Sequence, residues 1–263
     1  MTAAGPGWRA WGRLDAVDIV EFGGTGTPIV LLHALMGRAS TWWPCAGWLA
    51  RHGRVLGYDA RAHGRHPVRG PGTTADFVAD LASVLRRTGP AVLVGHSMGA
   101  LHALVAASTH PHLVHAVVTE DVGVDLRGRT SDDWRALFAQ WPTPFPSMAH
   151  VREFFGPAAD YFAECVEERA DGYHLIADLE ALFAIAEEWG HRDYWDHVER
   201  VRCPVLAIEA EHTVMPAGQQ AQIPLRAPGG GHHLVVEGAG HLVHAAVPQV
   251  YRGAVEAFLS EVL

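Results

Sequence analysis

Lysine is missing from all 263 residues, and the 20 basic side chains are arginines. Without that amine there is no Schiff-base chemistry, and no lysine to serve as a serine's base in an S-x-x-K arrangement. Cysteine is scarce. Cys45, Cys165 and Cys203 lie far apart and without C-x-x-C spacing, which argues against a disulfide framework or a cysteine zinc site and for reduced structural thiols in the cytoplasm. No run of about 18 apolar residues occurs, and the N-terminus MTAAGPGWRAWGRLD carries no long apolar core or cleavage pattern, so neither a membrane span nor a signal peptide is expected. Positive charge is in deficit: 20 basic against 29 acidic side chains leave a net −9 with histidine neutral. Nucleic acid and anionic membranes are attracted by basic patches and are not expected partners. The 18 histidines are numerous, but HExxH is absent and carboxylates do not cluster around them. His232-His233 and the His241/His244 pair come nearest to ligand spacing, and spacing rather than number is the signal of a metal site. No metal or other cofactor is expected.

The chain is rich in apolar residues, at 49%, which at this length suits one large core carrying an insertion. Its centre is Ala91 to Ser108, AVLVGHSMGALHALVAAS. Ala91-Val92-Leu93-Val94 reads as a strand buried on both faces, and Met98 to Ser108 as an Ala-rich helix. Between them stands Gly95-His96-Ser97-Met98-Gly99, the G-x-S-x-G pattern of a sharp strand-to-helix turn that exposes a serine at a helix N-terminus, where free N–H groups favour developing negative charge.

Around this centre, strands and helices alternate. Trp8 to Arg13 and Asp18 to Phe22 read as short strands, and Pro28 to Leu32 as a buried strand running into the loop His33-Ala34-Leu35-Met36-Gly37. Ser40 to His52 has helical spacing, with Ser40 as its N-cap candidate. Arg54 to Tyr58 is a buried strand ending in the polar turn Asp59 to Arg65, and Thr73 to Thr88 an amphipathic helix with Phe77, Leu81 and Leu85 four residues apart. Val114 to Thr119 is the sixth strand, and it delivers Glu120 and Asp121 at its end. From Gly123 to about Val201 the spacing predicts aromatic-rich helices at Asp132 to Trp141, Met148 to Glu168, Tyr173 to Trp189 and His191 to Arg200, a helical cap over the active face. Val205 to Ile208 and His233 to Glu237 resume the sheet. Gln249 to Leu263 closes the chain as a helix with Val250, Val255, Phe258 and Leu259 inward. Such alternation predicts a mostly parallel sheet with helices on both faces, a core of residues 1–122 and 201–263, and a cap of 123–200.

The His-x-x-x-Gly loop at His33 to Gly37, the Asp-x-Arg-x-His-Gly turn at Asp59 to Gly64, the elbow at Gly95 to Gly99 and Gly238-Ala239-Gly240-His241 after the last strand resemble, in order and spacing, the landmarks of the α/β-hydrolase family. The resemblance spans nearly the whole chain apart from the insertion. It implies the α/β-hydrolase fold with a helical cap after the sixth strand, Ser97 as nucleophile and His241 as the base that takes its proton. His33 then shapes its loop and His96 occupies a variable position. The resemblance also implies an oxyanion hole from the backbone amides of Leu35 and Met98, with Ala34 standing where the family usually has Gly. The acid departs from the commonest pattern: after Ile208, where a G-x-x-D turn is expected, Ala210-Glu211-His212-Thr213 has Ala for Gly and Thr for Asp. A minority of the family places the acid one strand earlier, which makes Asp121 the favoured residue, with Glu120, Glu211 and Glu209 as the other candidates.

These residues imply a serine hydrolase acting on a small-molecule substrate, a small-to-medium and mainly apolar ester, lactone or thioester, through an acyl-enzyme. Dehalogenase and epoxide hydrolase chemistry is disfavoured, because family members with those activities carry Asp where Ser97 stands. A lyase, C–C hydrolase or cyclase would keep Ser97 and His241, and a non-catalytic ligand-binding member can retain all three residues. Among the cap aromatics, Trp134, Phe138, Trp141, Phe154, Phe155, Tyr161, Phe162, Trp189, Tyr194 and Trp195 can form either a substrate pocket or simply core.

Overall fold

The computed structural model describes residues 17–66, 68 and 70–263, so the strand expected at Trp8 to Arg13 lies outside the described residues. The strands are β1 (Ile19–Gly23), β2 (Pro28–Leu32), β3 (Arg54–Tyr58), β4 (Ala91–His96), β5 (Val114–Glu120), β6 (Val166–Arg169), β7 (Gly172–Leu175), β8 (Val205–His212) and β9 (Gly231–Gly240). The helices are α1 (Trp43–Leu49), α2 (Thr74–Thr88), α3 (Met98–Thr109), α4 (Ser131–Phe138), α5 (Met148–Phe155), α6 (Ala159–Ala163), α7 (Leu179–His191), α8 (Trp195–Val198), α9 (Gln219–Arg226), α10 (Val243–Ala246) and α11 (Pro248–Val262). Seven strands form one sheet in the order β1-β3-β2-β4-β5-β8-β9, antiparallel between β1 and β3 and parallel elsewhere.

The unbroken apolar runs have a direct cause. Successive side chains of a strand point to opposite faces, and here both faces are covered. Val30 and Leu32 of β2 and Leu93 of β4 pack with Phe77, Leu81 and Leu85 of α2 and Leu101 and Leu104 of α3. Ile29, Leu31, Val92 and Val94 face the other way, against Leu49 of α1 and Tyr251, Val255, Phe258 and Leu259 of α11. A strand with no wet face reads as continuous hydrophobic sequence. Because β2 has β3 on one side and β4 on the other, the chain switches winding direction there. The loops after β2 and β4 diverge at that switch and leave a crevice at the carboxyl end of the sheet.

Several local expectations are corrected. Ser40 is no N-cap: it sits inside a 3₁₀ turn over Ala39–Trp42, and its hydroxyl donates to Glu164 Oε2 at 2.6 Å. The α-helix starts afresh at Trp43-Pro44, where proline's fixed φ and missing N–H suit a first turn. In α11 the inward residue of the first turn is Tyr251, not Val250, which is 46% exposed. The insertion after β5 is not wholly helical. Val166 to Glu168 and Tyr173 to Leu175, read as the ends of two helices, lie in the antiparallel hairpin β6-β7, whose two-residue loop is Ala170-Asp171, with Gly172 following it at φ 137°. Phe138, Phe145, Val151, Val166, Leu175, Leu182 and Phe183 bury one another with Met36 of the β2 loop beneath them. The insertion therefore has a hydrophobic core of its own, seated on the crevice. α9 is a further helix that the polar sequence around Gln219 and Gln220 did not announce.

Candidate active site

β4 ends at His96 and α3 begins at Met98, so Ser97 alone turns the chain, at φ 51° and ψ −115°. A non-glycine residue in this conformation costs about 1–3 kcal/mol and persists only where its surroundings hold it. The Ser97 amide donates to the Glu120 carbonyl of the neighbouring strand at 2.8 Å. The two elbow glycines are required by approach distance. A Cβ on Gly95 would lie 2.6 Å from the backbone of Gly99 and Ala100, and one on Gly99 would lie 2.3 Å from the Leu32 carbonyl oxygen.

Asp121 follows β5 directly and also has positive φ, 43°. Its amide donates to Ile208 O at 2.8 Å, and its fully buried carboxylate divides its work. Oδ1 accepts from Ala210 N at 3.1 Å and Gln220 Nε2 at 3.0 Å, while Oδ2 faces His241 Nδ1 at 2.6 Å. Burial pushes this carboxyl up, but the hydrogen bonds from His241, Gln220 and Ala210 and the neighbouring His241 charge outweigh it and hold the group below the usual aspartate range. The other three carboxylates go elsewhere: Glu120 to His244, Glu209 to His233 Nε2 at 2.7 Å, and Glu211 to the Gly238 amide at 2.8 Å. Asp121 is the carboxylate in contact with His241 among the described residues.

His241 reaches the site from the end of β9, and its loop is clamped twice. His96 Nε2 donates to the His241 carbonyl at 2.9 Å. Burial drives the His96 pKa down to about 3 against the pull of Glu120, so this ring is a neutral donor. Glu120 Oε1 accepts from both the amide of His244, at 2.9 Å, and its Nδ1, at 2.8 Å. Burial alone would raise the Glu120 carboxyl; the facing His244 and His96 rings and the His244 hydrogen bonds reverse the direction. His96, Glu120 and His244 offer donor atoms within 4.8 Å of one another and are the group of the described residues that could hold a metal ion. This trio is assembled from the ends of β4 and β5 and from α10, and the linear spacing of the histidines does not announce it. Gln220 was likewise missed: a glutamine in a polar stretch gives no sign that it reaches a carboxylate 99 residues away.

Ser97 and His241 line one cavity of about 490 Å³ together with Leu35, Trp134, Phe138, Trp141, Tyr161 and Phe162. Five of the ten cap aromatics therefore face it. Phe154 and Phe155 instead meet Trp141 and Phe145 in edge-on or tilted contacts, and Trp189, Tyr194 and Trp195 pack onto the α3 face of the sheet. In the loop after β2, Ala34 is not left-handed; the positive φ, 75°, falls on Met36. The methyl that replaces the family's usual glycine is thus accommodated without strain at that residue. Gly37 leaves room for the cap, since a Cβ there would come within 2.5 Å of Tyr161 Oη.

The alpha/beta hydrolase family model matches residues 29–254, and the chain belongs to that family. The chain is 24% identical over 247 residues to a 2-(acetamidomethylene)succinate hydrolase of Mesorhizobium japonicum, covering 90% of this chain and 89% of that protein. It is 33% identical over 168 residues to the sn-1-specific diacylglycerol lipase ABHD11 of Danio rerio, covering 62% of this chain and 53% of the lipase, so the match spans about half of that relative. Among solved structures, an E-2-(acetamidomethylene)succinate hydrolase superposes with a TM-score of 0.82 at 24% identity, over 93% of this chain and 95% of the other. The enol-lactonase of Burkholderia xenovorans LB400 superposes at 0.73 and 21%, over 93% and 96%. At these identities the solved structures speak to the fold. Among the described residues no helix is long and apolar enough to cross a membrane.

Proposed function

We propose that the protein is a serine hydrolase that cleaves a small-to-medium, mainly apolar ester, lactone or thioester through an acyl-enzyme. In this reading Ser97 is the nucleophile, His241 the general base and then acid, and Asp121 the carboxylate that fixes the imidazole tautomer and stabilises its charged form. The backbone amides of Leu35 and Met98 receive the oxyanion. Residues 1–122 and 201–263 carry this machinery, and 123–200 form the cap that shapes the pocket and excludes water. The observation that carries the proposal is the 2.6 Å contact of His241 Nδ1 with the buried Asp121 carboxylate, beside a serine held in a strained elbow on the same cavity wall.

The apolar character of the substrate follows from the lining. Apart from Ser97, His96 and His241, the cavity is walled by aromatic and aliphatic side chains and backbone, with no arginine among them, and the chain has no lysine. A succinate such as the one named for the Mesorhizobium relative carries two carboxylates, whose burial calls for cationic partners. We therefore assign this chain an uncharged substrate. The free thiols Cys45, Cys165 and Cys203 fit a reducing compartment, and we place the enzyme in the cytoplasm. Hydrolysis of 1-naphthyl acetate tests the proposal: turnover by the native chain falls by about three orders of magnitude or more in Ser97→Ala. Equal turnover by the two proteins overturns it.

A further inference from the structure

Ser97 stands between two spaces of very different size. One is the 490 Å³ cavity that includes His241. The other is a recess of about 20 Å³ behind Leu35 and Met98, walled by Leu101, Val122, Leu126 and Met215 and bounded by Trp134 and Trp189. His241 does not reach it. A single water needs roughly 10–15 Å³ of such volume, so the recess accepts one or two heavy atoms. Most of its walls are buried. Leu101, Val122, Leu126, Trp189 and Met215 are all at most 8% exposed, and Trp189 Nε1 donates to Thr74 Oγ1 at 3.2 Å. Gly123 closes it so tightly that a Cβ would sit 2.7 Å from Leu126 Cδ2 and 3.3 Å from Met215 Sδ.

We propose that the recess is the acyl subsite and the large cavity the leaving-group subsite, so that the substrate is a formyl or acetyl ester of a bulky, apolar, ring-bearing alcohol. The inference rests on the serine-hydrolase reading above, and the direction of proton transfer assigns the two limbs. Ser97 Oγ bonds to the carbonyl carbon, and its proton passes to His241. When the tetrahedral intermediate collapses, the bond from that carbon to the alcohol oxygen breaks, and His241 returns the proton to this oxygen. The leaving oxygen must therefore face His241, which belongs to the large cavity alone. The remaining substituent of the carbonyl carbon points away from His241, into the recess. Water, deprotonated by His241, then attacks the acyl-serine, releases the short carboxylic acid and restores Ser97. The rings of Trp134, Phe138, Trp141, Tyr161 and Phe162 give the departing alcohol its apolar surroundings.

Two matched ester series test this. With 1-naphthol held constant, kcat/KM is expected to fall about 100-fold or more from acetate to butyrate and further to octanoate, since each methylene forced into a closed wall is worth roughly 10–200-fold. With acetate held constant, 2-(1-naphthyl)ethyl acetate is expected to exceed ethyl acetate by about 10-fold or more, the two alkanols being of similar acidity. Met215→Ala and Leu126→Ala widen the recess, and each is expected to raise the butyrate-to-acetate ratio about 10-fold. Because the measure is a ratio within one protein, partial loss of folded enzyme does not disturb it, and the native profile decides even where a variant does not fold. Octanoate turned over as well as acetate by the native enzyme overturns the subsite assignment and leaves the hydrolase standing. So does an acetate preference that neither folded variant relaxes. No turnover of any ester, or turnover undiminished in Ser97→Ala, overturns the hydrolase and the subsites together.

Discussion

Changing Asp121 to asparagine lowers kcat by about three to four orders of magnitude while the protein stays folded, and changing Glu211 to glutamine leaves kcat within a few fold. The reason lies in the two sides of the carboxylate. Oδ1 accepts two hydrogen bonds, from Ala210 N and Gln220 Nε2. An asparagine must keep its carbonyl oxygen there, because its NH₂ would oppose two donors. The NH₂ is then forced toward His241 Nδ1, which has to accept, and the ring proton moves to Nε2. That tautomer cannot take a proton from Ser97. Asparagine tolerates the left-handed backbone at this position, φ 43°, better than most residues, so the loss is chemical rather than structural. Steady-state rates on one acetate ester, with a thermal melt for each variant, check it. A Glu211→Gln enzyme that fails while Asp121→Asn works reassigns the acid.

Stability is expected to collapse on mild acidification, well before most carboxylates titrate. His33, His63, His66, His96 and His102 are all at most 2% exposed, and burial holds the pKa of each below 6.5, down to about 3 for His96 and His102. In the unfolded chain each takes up a proton near pH 6.5. Their contribution to stability is whole above that pH and shrinks as pH falls toward the native values, because the unfolded state then binds more protons. A histidine that stays neutral in the fold loses about 2 kcal/mol by pH 5 on this basis. Burial holds His63, His96 and His102 lowest, and three such residues lose about 6 kcal/mol together, a large part of a typical domain stability of roughly 5–15 kcal/mol. Asp121 and Glu120, whose carboxyls are held low, add to the loss only below the carboxylate range, around pH 4. Urea unfolding at pH 7, 6 and 5 should show the midpoint falling steeply with each step. An unfolding free energy unchanged from pH 7 to pH 5 contradicts this.

The parts of the site that were legible in the sequence are those that the backbone must announce. An elbow at φ 51° packed against β2 needs glycine on both sides of Ser97, so it leaves a pattern. A histidine loop after the last strand needs freedom and shows as Gly-Ala-Gly. Asp121 was favoured in the sequence only through the family resemblance, beside three other carboxylates, because what distinguishes it physically is a pair of donors delivered by β8 and α9. Contacts such as Gln220 with Asp121, or His96 with the His241 carbonyl, join residues 99 and 145 positions apart, and neither side carries a periodicity that reveals the other. In the cap, aromatic spacing gave the helices α4 and α7. The hairpin between them is set by a two-residue turn and a few exposed charges, too short for a periodicity to register. Met36 shows the same limit: the left-handed residue of the loop after β2 is fixed by the turn that Gly37 closes onto Ala34, not by its own side chain.

Intact-protein mass after brief treatment with an aryl fluorophosphonate is the most direct test of the claim that a strained serine is activated by an imidazole held on a buried carboxylate. The native chain is predicted to gain a single phosphonyl adduct located at Ser97, with none in Ser97→Ala and a labelling rate reduced by orders of magnitude in His241→Gln. A native chain that stays unlabelled, or a His241→Gln chain labelled at the native rate, would contradict it.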